Sequence, residues 1–212
     1  MTELRICFVG DSLVNGTNDP DFQGWPGRLA QAEVANGHDL SVYNLGIRGD
    51  TSVMIATRWQ AECEARLPAI QPCALVFSFG VNDIALENGS RRVSFPSSLQ
   101  TAREMIGAAS SWLPTLWVGP PPVEREQTTF HPAAGISYEF ARKEIEHLSD
   151  AYGALAAELD VPYYDLYGAL KDDAEWRRAF DGSDAVHPTQ TGYHLISRHI
   201  GNWPAWRHWL DA

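Results

Sequence analysis

The amino-acid sequence predicts an α/β protein built as a doubly wound parallel sheet of five strands, with helices on both faces. Two observations point there. Short apolar runs alternate along the chain with longer segments of helical periodicity, the order that repeated βα units produce. The apolar runs are near-continuous rather than alternating, as suits strands covered on both sides. A third observation bounds the size: 212 residues, 44% of them apolar and 20% charged, fit one globular domain spanning 1–212.

The strands are read, in order, as LRICFVG (4–10), LSVYNLG (40–46), ALVFSFG (74–80), LPTLWVG (113–119) and VPYYDLY (161–167). Between them, 25–36, 52–67, 97–112 and 137–159 are read as helices, and a last helix is expected over about 189–201. In the first helix Trp25, Leu29, Ala32 and Ala35 share a face, and in the fourth Ile145, Leu148, Tyr152, Leu155 and Leu159 recur at helical spacing. The stretch from Pro120 to Gly135 is longer than most connections, so it is either a lid or substrate loop or a proline-stiffened surface excursion. Trp203, Trp206 and Trp209 form a stripe expected to pack a terminal helix on the body.

Charge and composition exclude several function classes. A net charge of −11 with no basic stripe argues against a nucleic-acid partner and disfavours docking on anionic membrane. No apolar stretch reaches the ~18 residues of a membrane span, and the N-terminal run is too short for a secretory signal, so no stable membrane anchor is expected. Cys7 and Cys73 sit inside strand-like runs, and three cysteines cannot all pair. Free buried thiols fit a reducing compartment, and the expected location is the cytoplasm. A homo-oligomer stays open.

Three of the strands end in glycine followed by polar residues: Gly10-Asp11-Ser12, then Asn44-Leu45-Gly46-Ile47-Arg48-Gly49-Asp50, then Gly80-Val81-Asn82-Asp83. In an open α/β sheet ligands bind at the carboxyl ends of the strands, so these turns should converge. A fourth element, Asp184-Ala185-Val186-His187-Pro188, precedes the last helix. A serine hydroxyl is a weak nucleophile that needs a base, and the imidazole of a histidine, here His187, is the usual side chain for that task beside Ser12. Asp184 can hold the other ring nitrogen and stabilise the imidazolium. Pro188 suits the first turn of a helix and would fix His187 at its boundary. An attacked carbonyl becomes an oxyanion that needs preorganised donors. The candidates are the backbone N–H of Ser12, the backbone N–H of Gly46 and the side-chain amide of Asn82.

The blocks GDS near the N-terminus, NLG after the second strand, GVND after the third and DAVHP near the C-terminus resemble the four blocks of the SGNH (GDSL-type) esterases and lipases. The first block reads Gly-Asp-Ser-Leu, which gives that family its name. The resemblance runs from residue 10 to 188 in the family's order. It implies a flavodoxin-like three-layer α/β/α sandwich and a carboxylic ester hydrolase acting on a small-molecule ester, with neither metal nor organic cofactor. It also implies Ser12, Gly46, Asn82 and His187 as signature residues with Asp184 as the acid. Any one motif is weak: GDS arises by chance in about one chain of this length in twenty. Their order, each after a predicted strand, carries the weight.

Other readings were set against these. Asp181, six residues before His187, is the rival acid, and the shorter spacing favours Asp184. Asp11 is expected to bond the local backbone of its turn and Asp83 to order the third turn. Arg48 and Asp50 form a surface ion pair or shape the pocket, where Arg48 could meet an anionic substrate group. Trp25 and Phe22 line a pocket or pack in the core, and His131, alone of the remaining histidines, is a candidate for substrate contact. An acyltransferase using the same acyl-enzyme, or a non-catalytic binding protein on the same scaffold, is the alternative function. The GxSxG elbow of α/β-hydrolases and the phosphate-binding glycine loops are both absent from the sequence.

Overall fold

A computed structural model describes residues 1–211. The first half of the chain runs β1 (Glu3–Gly10), α1 (Ser12–Asn15), α2 (Gly24–Ala35), β2 (Asp39–Gly46), α3 (Ser52–Ala56), α4 (Trp59–Glu64), β3 (Cys73–Ser78), α5 (Val81–Ile84), β4 (Leu86–Glu87), β5 (Ser90–Arg91) and α6 (Phe95–Trp112). The second half adds β6 (Thr115–Val118), β7 (Gln127–Ala133), β8 (Ile136–Ala141), α7 (Arg142–Glu158), β9 (Tyr163–Tyr164), α8 (Leu166–Leu170), α9 (Ala174–Arg178), α10 (Gln190–Gly201) and α11 (Pro204–Leu210).

The main sheet has the order β2-β1-β3-β6-β9, and every pairing in it is parallel. From β1 the chain goes to β2 on one side, and β3 pairs with β1 on the other. A crevice therefore opens beyond the carboxyl end of β1, where the order reverses. Side chains alternate faces along each strand and both faces are apolar, which is why the runs read as continuous. Cys7, Val9, Leu75, Phe77 and Trp117 join the core under α3, α4, α6 and α7. Ile6, Phe8, Val76, Leu116 and Val118 join the core under α2, α10 and α11. All three cysteines are buried and free. Trp206 of α11 is fully buried, with Trp203 and Trp209 packed beside it on the second core, as the stripe suggests. Among the described residues no helix is long and apolar enough to cross a membrane.

The structure departs from the sequence expectations at four places. The single helix expected over 52–67 is two, broken at Thr57 and Arg58, where the Arg58 side chain turns into the sheet edge to bond backbone carbonyls. The strand expected over 161–167 is only β9, because Asp165 accepts from the Gly168 N–H and starts α8. Residues 136–141 form β8 rather than the first turn of α7. The stretch from Pro120 to Gly135 contains β7, which pairs with β8 in an antiparallel hairpin. With β4 and β5 it builds a second sheet, in the order β5-β4-β8-β7.

The connection between α1 and α2 is fixed by a buried ion pair. Asp19 accepts from the backbone N–H groups of Asp21, Gln23 and Gly24, and pairs with the buried Arg28 guanidinium. Arg28 keeps a second, half-exposed partner in Asp21 at 3.2 Å, but loss of the buried one, together with its three backbone bonds, falls in the range of roughly 3–5 kcal/mol for breaking a buried pair. Asp19→Ala should therefore lower Tm by about 6 °C or more in a thermal melt. Glu158→Ala, which breaks an exposed pair with Arg103, should shift it by no more than about 2 °C. Equal shifts would show that the Asp19 pair does not hold the fold.

Candidate active site

Ser12 opens α1 immediately after β1, and Asp11 caps that helix by accepting from the Leu13 N–H at 2.9 Å. The cap leaves the Ser12 N–H, at the first helical position, without an intrahelical acceptor. His187 precedes Pro188 and α10, in a turn where Ala185 has φ +67°. That turn brings the ring to the loop after β1: His187 Nε2 lies 2.8 Å from Ser12 Oγ, and His187 Nδ1 lies 2.8 Å from Asp184 Oδ2. Asp184 also accepts from the backbone N–H groups of His187 and Val186 at 2.8 and 3.1 Å. Asn18, on the connection held by Asp19, donates to Asp184 Oδ2 at 3.1 Å. Burial works against the Asp184 carboxylate. The bonds from His187 and Val186 outweigh it and hold the group down at about 2. Asp181 makes no bond to His187 and is exposed.

Ser12 and His187 line a cavity of about 160 Å³ together with Arg48, Gly49, Asn82, Phe130, Pro132, Tyr138, Phe140 and Val186. Two wider surface grooves, about 750 and 800 Å³, do not reach Ser12. The hairpin of β7 and β8 supplies the apolar wall, and the Phe130 ring meets the His187 ring edge to face at 5.6 Å. Asn82 enters from α5, where its amide donates to the Asp50 carbonyl at 3.0 Å and contacts Asp11 Oδ2 at 3.4 Å. Asp83 faces away from the cavity. It accepts from the Ser52 N–H and the Ser98 hydroxyl, and so ties the starts of α3 and α6 to the third turn.

The sequence profile of the GDSL-like lipase/acylhydrolase family matches residues 8–195. The chain belongs to this family. No curated protein sequence matches it. In fold this family member is similar to the lipase/acylhydrolase from Enterococcus faecalis, with TM-score 0.72, 23% identity and 96% of each chain covered. It is also similar to TesA, with TM-score 0.69, 23% identity, and 97% of this chain and 99% of that one covered. The acetylxylan esterase Axe2 from Geobacillus stearothermophilus superposes with TM-score 0.67, 16% identity and 95% of each chain covered.

Of the site residues expected for this GDSL-like chain, Ser12, Asp184, His187, Asn82 and Arg48 come together. Three do not. Gly46, expected as an oxyanion donor, does not line the cavity, and its N–H donates to Asn44 Oδ1 at 3.0 Å. Its lack of a side chain serves the close approach of α1, since a Cβ there would lie 2.2 Å from the Asn15 nitrogen. Gly49 lines the cavity instead, at φ +82°, and its N–H has no acceptor among the described residues. Trp25 is buried against Phe8, edge to face at 5.3 Å, and does not reach the site. His131 is exposed: on β7 the flanking Phe130 and Pro132 face the cavity, and period two turns His131 outward. Phe22 is 91% exposed and also misses the cavity.

Sequence reading missed the groups that hold the second turn. Arg58 donates to Asp50 Oδ2 at 2.8 Å, and to the Leu45 and Gly10 carbonyls, each at 3.0 Å. Asp50 thus pairs with Arg58, not Arg48. Arg92 donates to the Gly49 carbonyl at 2.8 Å and lies over the Tyr138 ring, which ties the turn to the hairpin. Beneath the turn, burial pushes the Asp11 carboxyl up to about 7, with Asp83 and Asp50 adding to the effect and the Leu13 N–H opposing it. Asp83 is raised as well, chiefly by burial.

A carboxyl raised by folding binds its proton more tightly in the folded chain. Its contribution to stability therefore falls as pH rises from the ordinary value of 3.8 towards about 7. The Asp11 shift corresponds to about 2–3 kcal/mol lost between pH 5 and pH 8. Thermal melts at constant ionic strength should show Tm declining over that range, and declining less steeply in Asp11→Asn. A Tm that rises between pH 5 and 8 in the unsubstituted protein would contradict this burial argument.

Proposed function

We propose that the protein hydrolyses carboxylic esters through an acyl-enzyme on Ser12. The observation that carries this reading is the continuous chain Ser12 Oγ, His187 Nε2, His187 Nδ1, Asp184 Oδ2, opening on a cavity beside unengaged backbone donors. Ser12 Oγ attacks the ester carbonyl carbon as its proton passes to His187 Nε2. Asp184 stays ionised and stabilises the imidazolium. The carbonyl oxygen becomes an oxyanion that takes hydrogen bonds from the Ser12 and Gly49 N–H groups and the Asn82 amide. His187 then returns the proton to the departing alkoxide, and the C–O bond to the alcohol breaks. A water, deprotonated by His187, attacks the acyl carbon and frees Ser12. Family membership supports the same reading.

The substrate class follows from the cavity. About 160 Å³ is close to the volume of a cavity that takes one benzene ring. Walls of Phe130, Pro132, Tyr138, Phe140 and Val186 favour a short apolar acyl group over a long chain. The fold it shares with a protein described as an acetylxylan esterase is in keeping with a small acyl group. The partner is a small-molecule ester, and the acidic chain offers nucleic acid no basic stripe.

In a series of p-nitrophenyl esters from acetate to palmitate, kcat/KM should peak at or below butyrate and fall beyond hexanoate. Ser12→Ala should lower kcat by about four orders of magnitude or more. Asn82→Ala should lower kcat by about 10²–10³-fold with a smaller change in KM, as expected for a donor used mainly in the transition state. Equal rates for the unsubstituted protein and Ser12→Ala would remove Ser12 as the nucleophile. A peak at palmitate would remove the short-acyl reading.

A further inference from the structure

Arg48 stands apart from the other cations around the site. It follows β2 and precedes Gly49, and it is the one lysine or arginine lining the cavity that holds Ser12, Asn82 and His187. The neighbouring arginines are engaged. Arg58 is spent on Asp50, Glu62 and two backbone carbonyls, and Arg92 on the Gly49 carbonyl and Glu87. Arg48 has no hydrogen bond and no carboxylate partner among the described residues, although Asp50 lies two positions away. No aspartate or glutamate lines the cavity either. Apart from Arg48, the groups facing the cavity are the reacting residues, the Gly49 backbone and the apolar wall.

The charge of the whole chain sharpens the contrast. At −11 the protein repels anions at long range, but at physiological ionic strength that field is screened beyond about 8 Å. Within contact distance the guanidinium decides. Its planar fork matches a carboxylate through two parallel hydrogen bonds, which a lysine cannot reproduce. Arg48 is exposed, so its guanidinium sits at the solvent side of an apolar cavity that holds no acid, a setting that favours an anionic group on the ligand.

We infer that Arg48 forms an anion subsite, and that the site takes esters bearing a carboxylate within reach of its guanidinium. This rests on the ester-hydrolase reading above and names the substrate class of the same site. The carboxylate can belong to the acyl half or to the alcohol half of the ester, and the test separates the two. Two matched pairs are compared by titrating released acid at constant pH: monomethyl glutarate against methyl butyrate for the acyl half, and 4-acetoxybenzoate against phenyl acetate for the alcohol half.

In at least one pair, the ratio of kcat/KM for the anionic ester to that for the neutral one should fall tenfold or more in Arg48→Gln. The change should fall mainly on KM, and Arg48→Lys should recover part of the ratio. Raising salt from 20 to 500 mM should lower the ratio in the unsubstituted protein and leave it nearly level in Arg48→Gln. The pair that responds assigns the carboxylate to its half. A ratio unchanged by Arg48→Gln in both pairs, with the neutral esters turned over, overturns the subsite and leaves the ester-hydrolase reading standing. Failure of the unsubstituted protein to hydrolyse any of the four esters and the p-nitrophenyl series overturns both.

Discussion

Everything at the site hangs on the convergence of three backbone turns: Arg58 locks the first two together, and Asn82 and Asp83 tie the third to the second turn and to the start of α3. The sheet delivers the ends of β1 and β2 side by side, with the Ile47 N–H donating to the Gly10 carbonyl at 3.1 Å, but beyond that bond the ladder stops and side chains must hold the turns. Arg58 fills that need. One guanidinium takes the Gly10 carbonyl before the nucleophile loop, the Leu45 carbonyl near the end of β2, and the Asp50 carboxylate in the next turn. Five donors in a rigid plane can serve several acceptors at once. The break between α3 and α4 follows from this demand, since a continuous helix would carry Arg58 elsewhere.

Beneath the turns lies a cluster of acids with unlike tasks. Asp11 and Asp83 are buried and raised, Asp50 is neutralised by Arg58, and Asp184 is held low by the ring and backbone it serves. Only Asp184 sits where its charge can act on an imidazolium. The buried Asp11 contributes geometry: it caps α1, which frees the Ser12 N–H, and its second oxygen contacts the Asn82 amide. Environment separates four carboxyls of one site into one electrostatic partner and three builders.

Much of this was legible in the sequence, for identifiable reasons. The first three strands read clearly because parallel strands buried on two faces are apolar throughout, while β9 was over-read because the Asp165 cap cuts it to two residues. Ser12, Asn82 and His187 were legible because each stands within three residues of a strand or helix boundary, and Asp184 because it lies three residues before His187 in one short block. The glycine of the second turn was placed three residues early. The end of a strand marks where pairing stops, whereas the chain continues through Ile47 and Arg48 before the backbone faces the cavity. Arg58, Arg92 and Asn18 were invisible because their partners are backbone carbonyls or a carboxylate far along the chain. The hairpin was hidden because ISYEFA alternates for only six residues before the helical period of α7 takes over.

That hairpin divides the molecule's work. The reacting groups come from turns of the main sheet and the connection before α10, whose positions the core fixes from both faces. The wall facing them comes from β7 and β8, a separate sheet packed on the main core. Arg92 ties the Gly49 carbonyl to the Tyr138 ring, and the Glu124 N–H bonds the Ala185 carbonyl in the turn that carries His187. Phe130 on the imidazole adds a third contact. Phe140 is buried in the core under α7, with Phe130 and Tyr138 packed against it, so the inward face of the hairpin is part of the body that holds the site. The alternation that turns His131 to solvent puts Phe130, Pro132, Tyr138 and Phe140 on the wall. The apolar wall and the Ser12–His187–Asp184 chain therefore come from different parts of the sequence, and they meet at the Gly49 turn, where Arg48 also lies.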